Sequence, residues 1–210
     1  MLNSHIRRTV PALLMASAIS LPAAAQENLA GFYVGASAGL LTNVNFEVSP
    51  EGNDDDGGAL GMRGFPLSRL DLRLGLAQVF EGRYLIAGEL MASPYSILNE
   101  EVGISGMSAE LDANDGYAMK VHVGRLLSDV SVIYLQGGYQ WRNFEGSIAG
   151  FEDDSYYGGY GWGIGVRHML SNTVSLQLEA FEAFYSSQTS GGAEFQPTEA
   201  TVDFGLNLHF

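Results

Sequence analysis

The chain has 210 residues, with 24 acidic against 10 basic side chains, a formal net charge of −14 and no cysteine. Such a surface repels nucleic acid, so we expect no nucleic-acid partner, and disulfide frameworks and thiol chemistry are excluded. The length suits one domain.

The first 25 residues have the pattern of a secretory signal peptide. Arg7 and Arg8 precede an apolar run, and Ala23, Ala24 and Ala25 precede Gln26. The run is too short for a membrane-spanning helix, which takes about 20 apolar residues. We therefore predict cleavage after Ala25. Because Arg7 and Arg8 are the only charged residues removed, residues 26–210 keep eight basic and 24 acidic side chains, a net charge of −16.

Eight stretches then alternate between large apolar residues and small or polar ones. Period-two alternation predicts a β-strand, because successive side chains point to opposite faces. The predicted strands are 31–42, 67–79, 83–93, 115–126, 130–142, 158–169, 174–185 and 200–210.

The connections between these strands alternate between short and long. Glu81-Gly82, Leu127-Ser128-Asp129 and residues 170–173 are predicted tight turns, and 43–66, 94–114, 143–157 and 186–199 are predicted long, polar loops. All the tight turns fall at one end of the sheet, together with both termini. Short turns at one end and long loops at the other are typical of bacterial outer-membrane barrels. We predict an all-β fold, an eight-stranded antiparallel up-and-down transmembrane β-barrel.

The two faces of the predicted strands differ in charge. One face is bulky and almost uncharged, whereas the other carries four cations and four anions. Ions in a narrow lumen require partners, because unpaired buried charge is costly. We therefore place the apolar face against lipid and the polar face inside. The predicted lumen network consists of Arg69, Asp71, Arg73, Glu89, Lys120, His122, Arg167, Glu179 and Asp203, in which Arg73 and Glu89 are expected to meet.

Two segments indicate a family. GFYVGASAGL, Gly31 to Leu40, resembles the first strand of the small outer-membrane barrels of the OmpA, OmpX and opacity-protein family. The alternating C-terminal stretch that ends on Phe resembles the signal read by the outer-membrane assembly machinery. The resemblance implies an outer-membrane location with both termini in the periplasm. It also implies contact with membrane lipid, lipopolysaccharide, the assembly machinery and periplasmic chaperones. It places Phe204, Leu206, Leu208 and Phe210 in the assembly signal.

Three classes of function remain open at this point: a structural or surface-recognition protein, a lipid A-modifying enzyme and a narrow ion channel. We expect no catalytic residue, cofactor or metal, because no Ser, His and carboxylate are predicted to cluster at one depth. Eight strands enclose a lumen that side chains fill, although the inward Gly161, Gly163 and Gly165 could leave a water-filled space. The acidic loops, including 51–58, are either a solvated surface or a site for divalent cations, lipopolysaccharide or a host ligand.

Overall fold

The computed structural model describes residues 29–50, 58–64, 69–96, 98–104, 107–148, 151–190 and 193–210. These residues form β-strands joined in one antiparallel sheet. Over the same ranges, the chain has no helix that is long and apolar enough to cross a membrane. The predicted signal peptide lies outside the described residues.

Eight strands close into a barrel, as predicted, because the first and last pair with each other. The barrel strands are β1 (Gly31–Pro50), β3 (Arg69–Phe80), β4 (Tyr84–Ser96), β6 (Met107–Ser128), β7 (Ser131–Ile148), β8 (Phe151–Met169), β9 (Val174–Tyr185) and β11 (Ala193–His209). Three shorter strands, β2 (Gly58–Gly64), β5 (Leu98–Ile104) and β10 (Gln188–Ser190), pair with β1, β6 and β11.

Local sequence accounts for the tight turns. The first turn has Glu81 at φ 47° and Gly82 at φ 63°. Two consecutive residues with left-handed backbone angles match the twist of a two-residue hairpin turn. Gly82 adopts this conformation without a clash because it has no Cβ. The third turn spans 170–173 as predicted, between β8 and β9. The second was predicted at 127–129, but β6 continues through Ser128, so the turn lies at 129–130.

The prediction of long loops is wrong for much of the chain. β1, β6, β7, β8 and β11 have 17 to 22 residues and extend far into the segments predicted as loops. The ladder of backbone hydrogen bonds holds these extensions whatever their side chains. Polar residues are tolerated there because, beyond the lipid, both faces of a strand can meet water. Periodicity of hydrophobicity therefore marks only the part of each strand that lies within the membrane.

The apolar face of the barrel points outward. On β3, the leucines at 70, 72 and 74 are 41–59% exposed, whereas Arg69, Asp71 and Arg73 between them are at most 3% exposed. A protein dissolved in water would hide these leucines and expose the charges. The inverted pattern is that of a wall facing lipid.

Candidate functional site

The polar side chains enclosed by the barrel form one ionic cluster. Period two brings every second residue of each strand into the lumen, so charges distant in sequence meet. Among the residues that the structure describes, five cations and five anions are buried, so the charges balance inside a strongly acidic chain. They are Arg69, Arg73, Lys120, Arg142 and Arg167, with Asp71, Glu89, Glu179, Glu199 and Asp203.

Arg69 organises the part of this cluster nearest the long extensions. Its guanidinium lies 3.0 Å from Asp71, 2.9 Å from Glu199 and 2.8 Å from Asp203. Ser93 Oγ donates to Asp71 Oδ1 at 2.5 Å. One guanidinium thus holds three carboxylates contributed by two strands, β3 and β11.

Arg73 occupies the middle of the lumen. Its Nη1 lies 3.2 Å from Glu89 Oε1 and 2.5 Å from Glu179 Oε2. Its Nε donates to Ser37 Oγ at 2.9 Å. Lys120 Nζ, 3.7 Å from Glu179 Oε2, adds a second cation.

Arg167 lies toward the short turns. Its Nη2 is 3.9 Å from Glu89 Oε2, and its Cζ is 4.2 Å from the centroid of the Tyr33 ring. Its Nε and Nη2 both donate to Gln177 Oε1, at 3.1 and 2.9 Å. Tyr33 donates to Glu89 at 2.9 Å, which joins this layer to the middle one.

All nine residues predicted for the lumen network are buried, but they do not contribute alike. His122 is 0% exposed and stacks on Tyr134 at 4.8 Å between centroids. Its Nε2 is 4.0 Å from Glu179, and neither ring nitrogen has a hydrogen-bond partner among the described residues. The imidazole therefore packs within the cluster rather than bonding in it.

Sequence reasoning missed two ions of this cluster, Arg142 and Glu199. Arg142 continues the inward parity of Gln136 and Gln140, and Glu199 continues that of Thr201 and Asp203. The signal is therefore present in the sequence, but Glu199 falls within the predicted loop 186–199 and Arg142 is the last residue of the predicted strand 130–142, where the alternation ends.

The ionic cluster is closed at both ends by uncharged side chains. Toward the short turns, Leu29 enters the lumen and packs with seven buried residues. They are Tyr33, Ala77, Leu85, Ala87, Val132, Tyr134 and Met169. Toward the extensions, the Phe144 ring lies 5.6 Å from that of Tyr157 and 5.1 Å from that of Tyr185.

The inward glycines make room for aromatic rings. A Cβ on Gly165 would collide with the ring of Tyr134, and one on Gly161 with the ring of Phe181. The ring of Tyr33 occupies the space beside Gly75 in the same way. These glycines therefore hold side chains from neighbouring strands rather than opening a water-filled channel.

Glu89, His122 and Glu179 have the residue types of a metal site, with one ligand atom of each within 4.8 Å of the others. Arg73, Lys120 and Arg167 already lie within 4.0 Å of the two carboxylates. A divalent ion would add positive charge where three cations already face two anions, which is strongly unfavourable in a buried site. We therefore assign these groups to the ionic cluster.

Two Ser–His pairs, which sequence reasoning did not identify, occur on neighbouring strands. Ser175 Oγ lies 2.8 Å from His209 Nε2 inside the lumen, and Ser131 Oγ lies 2.8 Å from His168 Nδ1 on the outer wall. In the described structure, neither imidazole has a carboxylate within 4.0 Å to orient it. Both pairs therefore lack the third group of a catalytic triad.

The four residues of the predicted assembly signal lie on the outer wall. Their exposed fractions run from 41% at Phe204 to 73% at Phe210, with Leu206 and Leu208 between them. Phe210 N donates to Phe32 O at 2.9 Å, and the two rings are 6.0 Å apart. The C-terminal segment thus forms the seam at which the barrel closes.

Comparisons with known proteins give several similar solved structures and one matching family. Structures with a similar chain path include the attachment invasion locus protein Ail of Yersinia pestis (TM-score 0.39, 9% identity, covering 83% of this chain and 99% of that one). Also similar is neisserial surface protein A (TM-score 0.47, 12% identity, covering 86% of this chain and 97% of that one). The outer membrane protease OmpT of Escherichia coli is similar as well (TM-score 0.45, 10% identity, covering 85% of this chain and 96% of that one). No protein of curated function matches. The model of the outer membrane protein beta-barrel domain matches residues 12–210. The chain therefore belongs to this family and is a protein of the bacterial outer membrane.

Proposed function

We propose that this protein is a non-enzymatic barrel with a sealed lumen, which anchors an acidic strand extension outside the cell. Its role is to support the envelope and to recognise partners at the surface. In this proposal the short turns and both termini face the periplasm, because the long strand extensions project from the opposite end of the barrel.

The packing of side chains throughout the lumen is the observation that supports the proposal. An ion crossing the barrel would meet the aromatic layer of Phe144, Tyr157 and Tyr185, then the paired ions, then the apolar layer around Leu29. The aromatic layer leaves no space for an ion, the paired ions hold one another tightly, and the apolar layer offers no water to hydrate a passing ion. This favours a structural barrel over an ion channel.

The acidic strand extension, formed by the parts of β6, β7 and β8 that run beyond the predicted strands, supports the proposed role in recognition. Register places Asp112 of β6 opposite Glu145 of β7, and Glu145 opposite Asp154 of β8. Like charges on adjacent strands destabilise a sheet. We therefore infer that these acidic residues serve a purpose other than stability. An acidic surface suits basic partners, or lipopolysaccharide phosphates bridged by divalent cations.

The proposed partners follow from the location. Membrane lipid and lipopolysaccharide surround the apolar wall. The assembly machinery and periplasmic chaperones would handle the chain before insertion, with Phe204, Leu206, Leu208 and Phe210 as the recognised residues. No cofactor is needed for such a role.

A lipid A-modifying enzyme is the alternative from another class. Mass spectrometry of lipid A from strains with and without the gene tests it, and an altered acylation pattern would contradict the proposal. Planar-bilayer recording tests the channel alternative. We expect no unit conductance from the wild type, whereas discrete steps that change on neutralising Arg73 or Glu89 would contradict a sealed lumen.

The role of the extension is tested by neutralising its acidic row as D112N, E145Q and D154N together. The matched control neutralises acids of the short turns, E81Q and D129N. We expect cells carrying the first variant to lose binding of a basic peptide probe and the control to retain it. Equal binding by both would remove the recognition role.

A further inference from the structure

Arg125 is a cation on the lipid-facing wall. Beyond residue 25 the chain has eight basic residues, and five of them are buried in the lumen. Arg83 lies in the first turn and Arg63 on β2. Arg125 is exposed on β6, on the same face as Tyr117, Met119, Val121 and Val123.

Arg125 has no acidic partner within 4.0 Å among the described residues. Its cross-strand neighbours are Tyr84 on β4 and Ile133 on β7, both outward-facing. Tyr84 is 50% exposed and directly follows the turn at 81–83. The pair therefore lies where the apolar wall meets the headgroups. An ionisable side chain at a membrane wall requires a counterion, and here the protein does not supply one.

A gap in the wall lies above this pair. Gly88 pairs with Val121, four residue pairs along from Tyr84 and Arg125. A Cβ on Gly88 would meet nothing within 4 Å, while Ile86 and Leu90 on either side are 46% and 52% exposed. Gly88 lies four positions along the strand from Tyr84, about 13 Å at the usual rise. The missing side chain at Gly88 thus leaves a shallow apolar groove between Ile86 and Leu90, on the membrane-interior side of the cation.

We infer that Arg125, Tyr84 and the groove at Gly88 form a binding site for a glycerophospholipid of the periplasmic leaflet. The guanidinium donates to two phosphate oxygens and the Tyr84 hydroxyl to one, and an acyl chain lies over Gly88. A planar guanidinium matches phosphate in this bidentate way. The assignment to the periplasmic leaflet rests on the proposed orientation of the barrel.

The test is native mass spectrometry of the full-length barrel in detergent with added phosphatidylglycerol. We expect the wild type to retain one lipid and R125Q to retain it about tenfold more weakly, as the loss of a charged hydrogen bond predicts. R83Q is the matched control, because it removes the same charge from the adjacent turn. G88L fills the groove without a clash and should also weaken retention. A180L, on the outer face of β9, should not.

Equal retention by R125Q and R83Q would overturn the site, as would normal retention by G88L. Folding of each variant is read separately, from the change in gel mobility between unheated and boiled samples. The orientation is tested by N172C in the third turn, since the chain has no native cysteine. Labelling of N172C from outside intact cells would overturn the periplasmic assignment while leaving the barrel fold intact.

Discussion

Arg69 on β3 and Glu199 on β11 lie 2.9 Å apart although 130 positions separate them in the chain. Strand β1, which pairs with both β3 and β11, lies between their two strands. The contact therefore exists only once the barrel has closed. It links the ionic cluster to the closing seam and makes closure and charge pairing mutually dependent.

Replacing Arg73 should be more harmful than replacing an exposed arginine. R73A leaves Glu89 and Glu179 without their closest cation inside a buried site, and breaking such a pair costs about 3–5 kcal/mol. R83A, in the exposed first turn, should have little effect. Thermal unfolding followed by gel mobility in detergent compares the two. Equal stabilities would mean that the interior network does not support the barrel.

The Arg69 and Glu199 pair should show coupling. R69Q and E199Q each leave a buried charged partner unpaired. The double variant leaves neither member of this pair without its partner. We expect the double variant to be more stable than the sum of the single effects implies, by about 1–3 kcal/mol. Equilibrium unfolding of the four proteins in urea with detergent gives this value. Simple additivity would contradict a direct interaction.

Two glycines should respond oppositely to a larger side chain. G165L places atoms where the Tyr134 ring lies, so it should lower the thermal midpoint or abolish barrel formation. G88L extends into open space on the outer wall and should leave the midpoint unchanged. Similar losses in both would show that backbone flexibility, rather than room for the ring, explains the inward glycines.

The C-terminal aromatic residue should matter for assembly in cells more than for stability. F210S removes the last residue of the predicted assembly signal, so less barrel should reach the outer membrane. F184S, which removes another lipid-facing aromatic ring, is the control. Fractionation measures assembly, and refolding into detergent measures intrinsic folding. Equal membrane levels of F210S and F184S would count against the assembly role of Phe210.

Much of the fold could be predicted from local pattern. The alternation in residues 174–185 predicted β9 with the bounds that the structure has, and the turn at 81–82 followed from its Glu-Gly pair. The predicted ends of the strands are wrong where the alternation of hydrophobicity ends but the strand continues. At 143–148, for example, β7 continues because β8 offers backbone hydrogen bonds to it, and no local side-chain pattern reports that pairing.

The sequence by itself determined which face of each strand is apolar and that the inward charges balance, because these depend on residue type and parity. Only the tertiary structure decided which ions share a partner, such as Arg69 with Glu199, and how far the strands extend. The stagger of eight tilted strands sets the depth of each side chain in the lumen. Stagger arises from pairing between distant segments, which residue spacing along the chain does not specify.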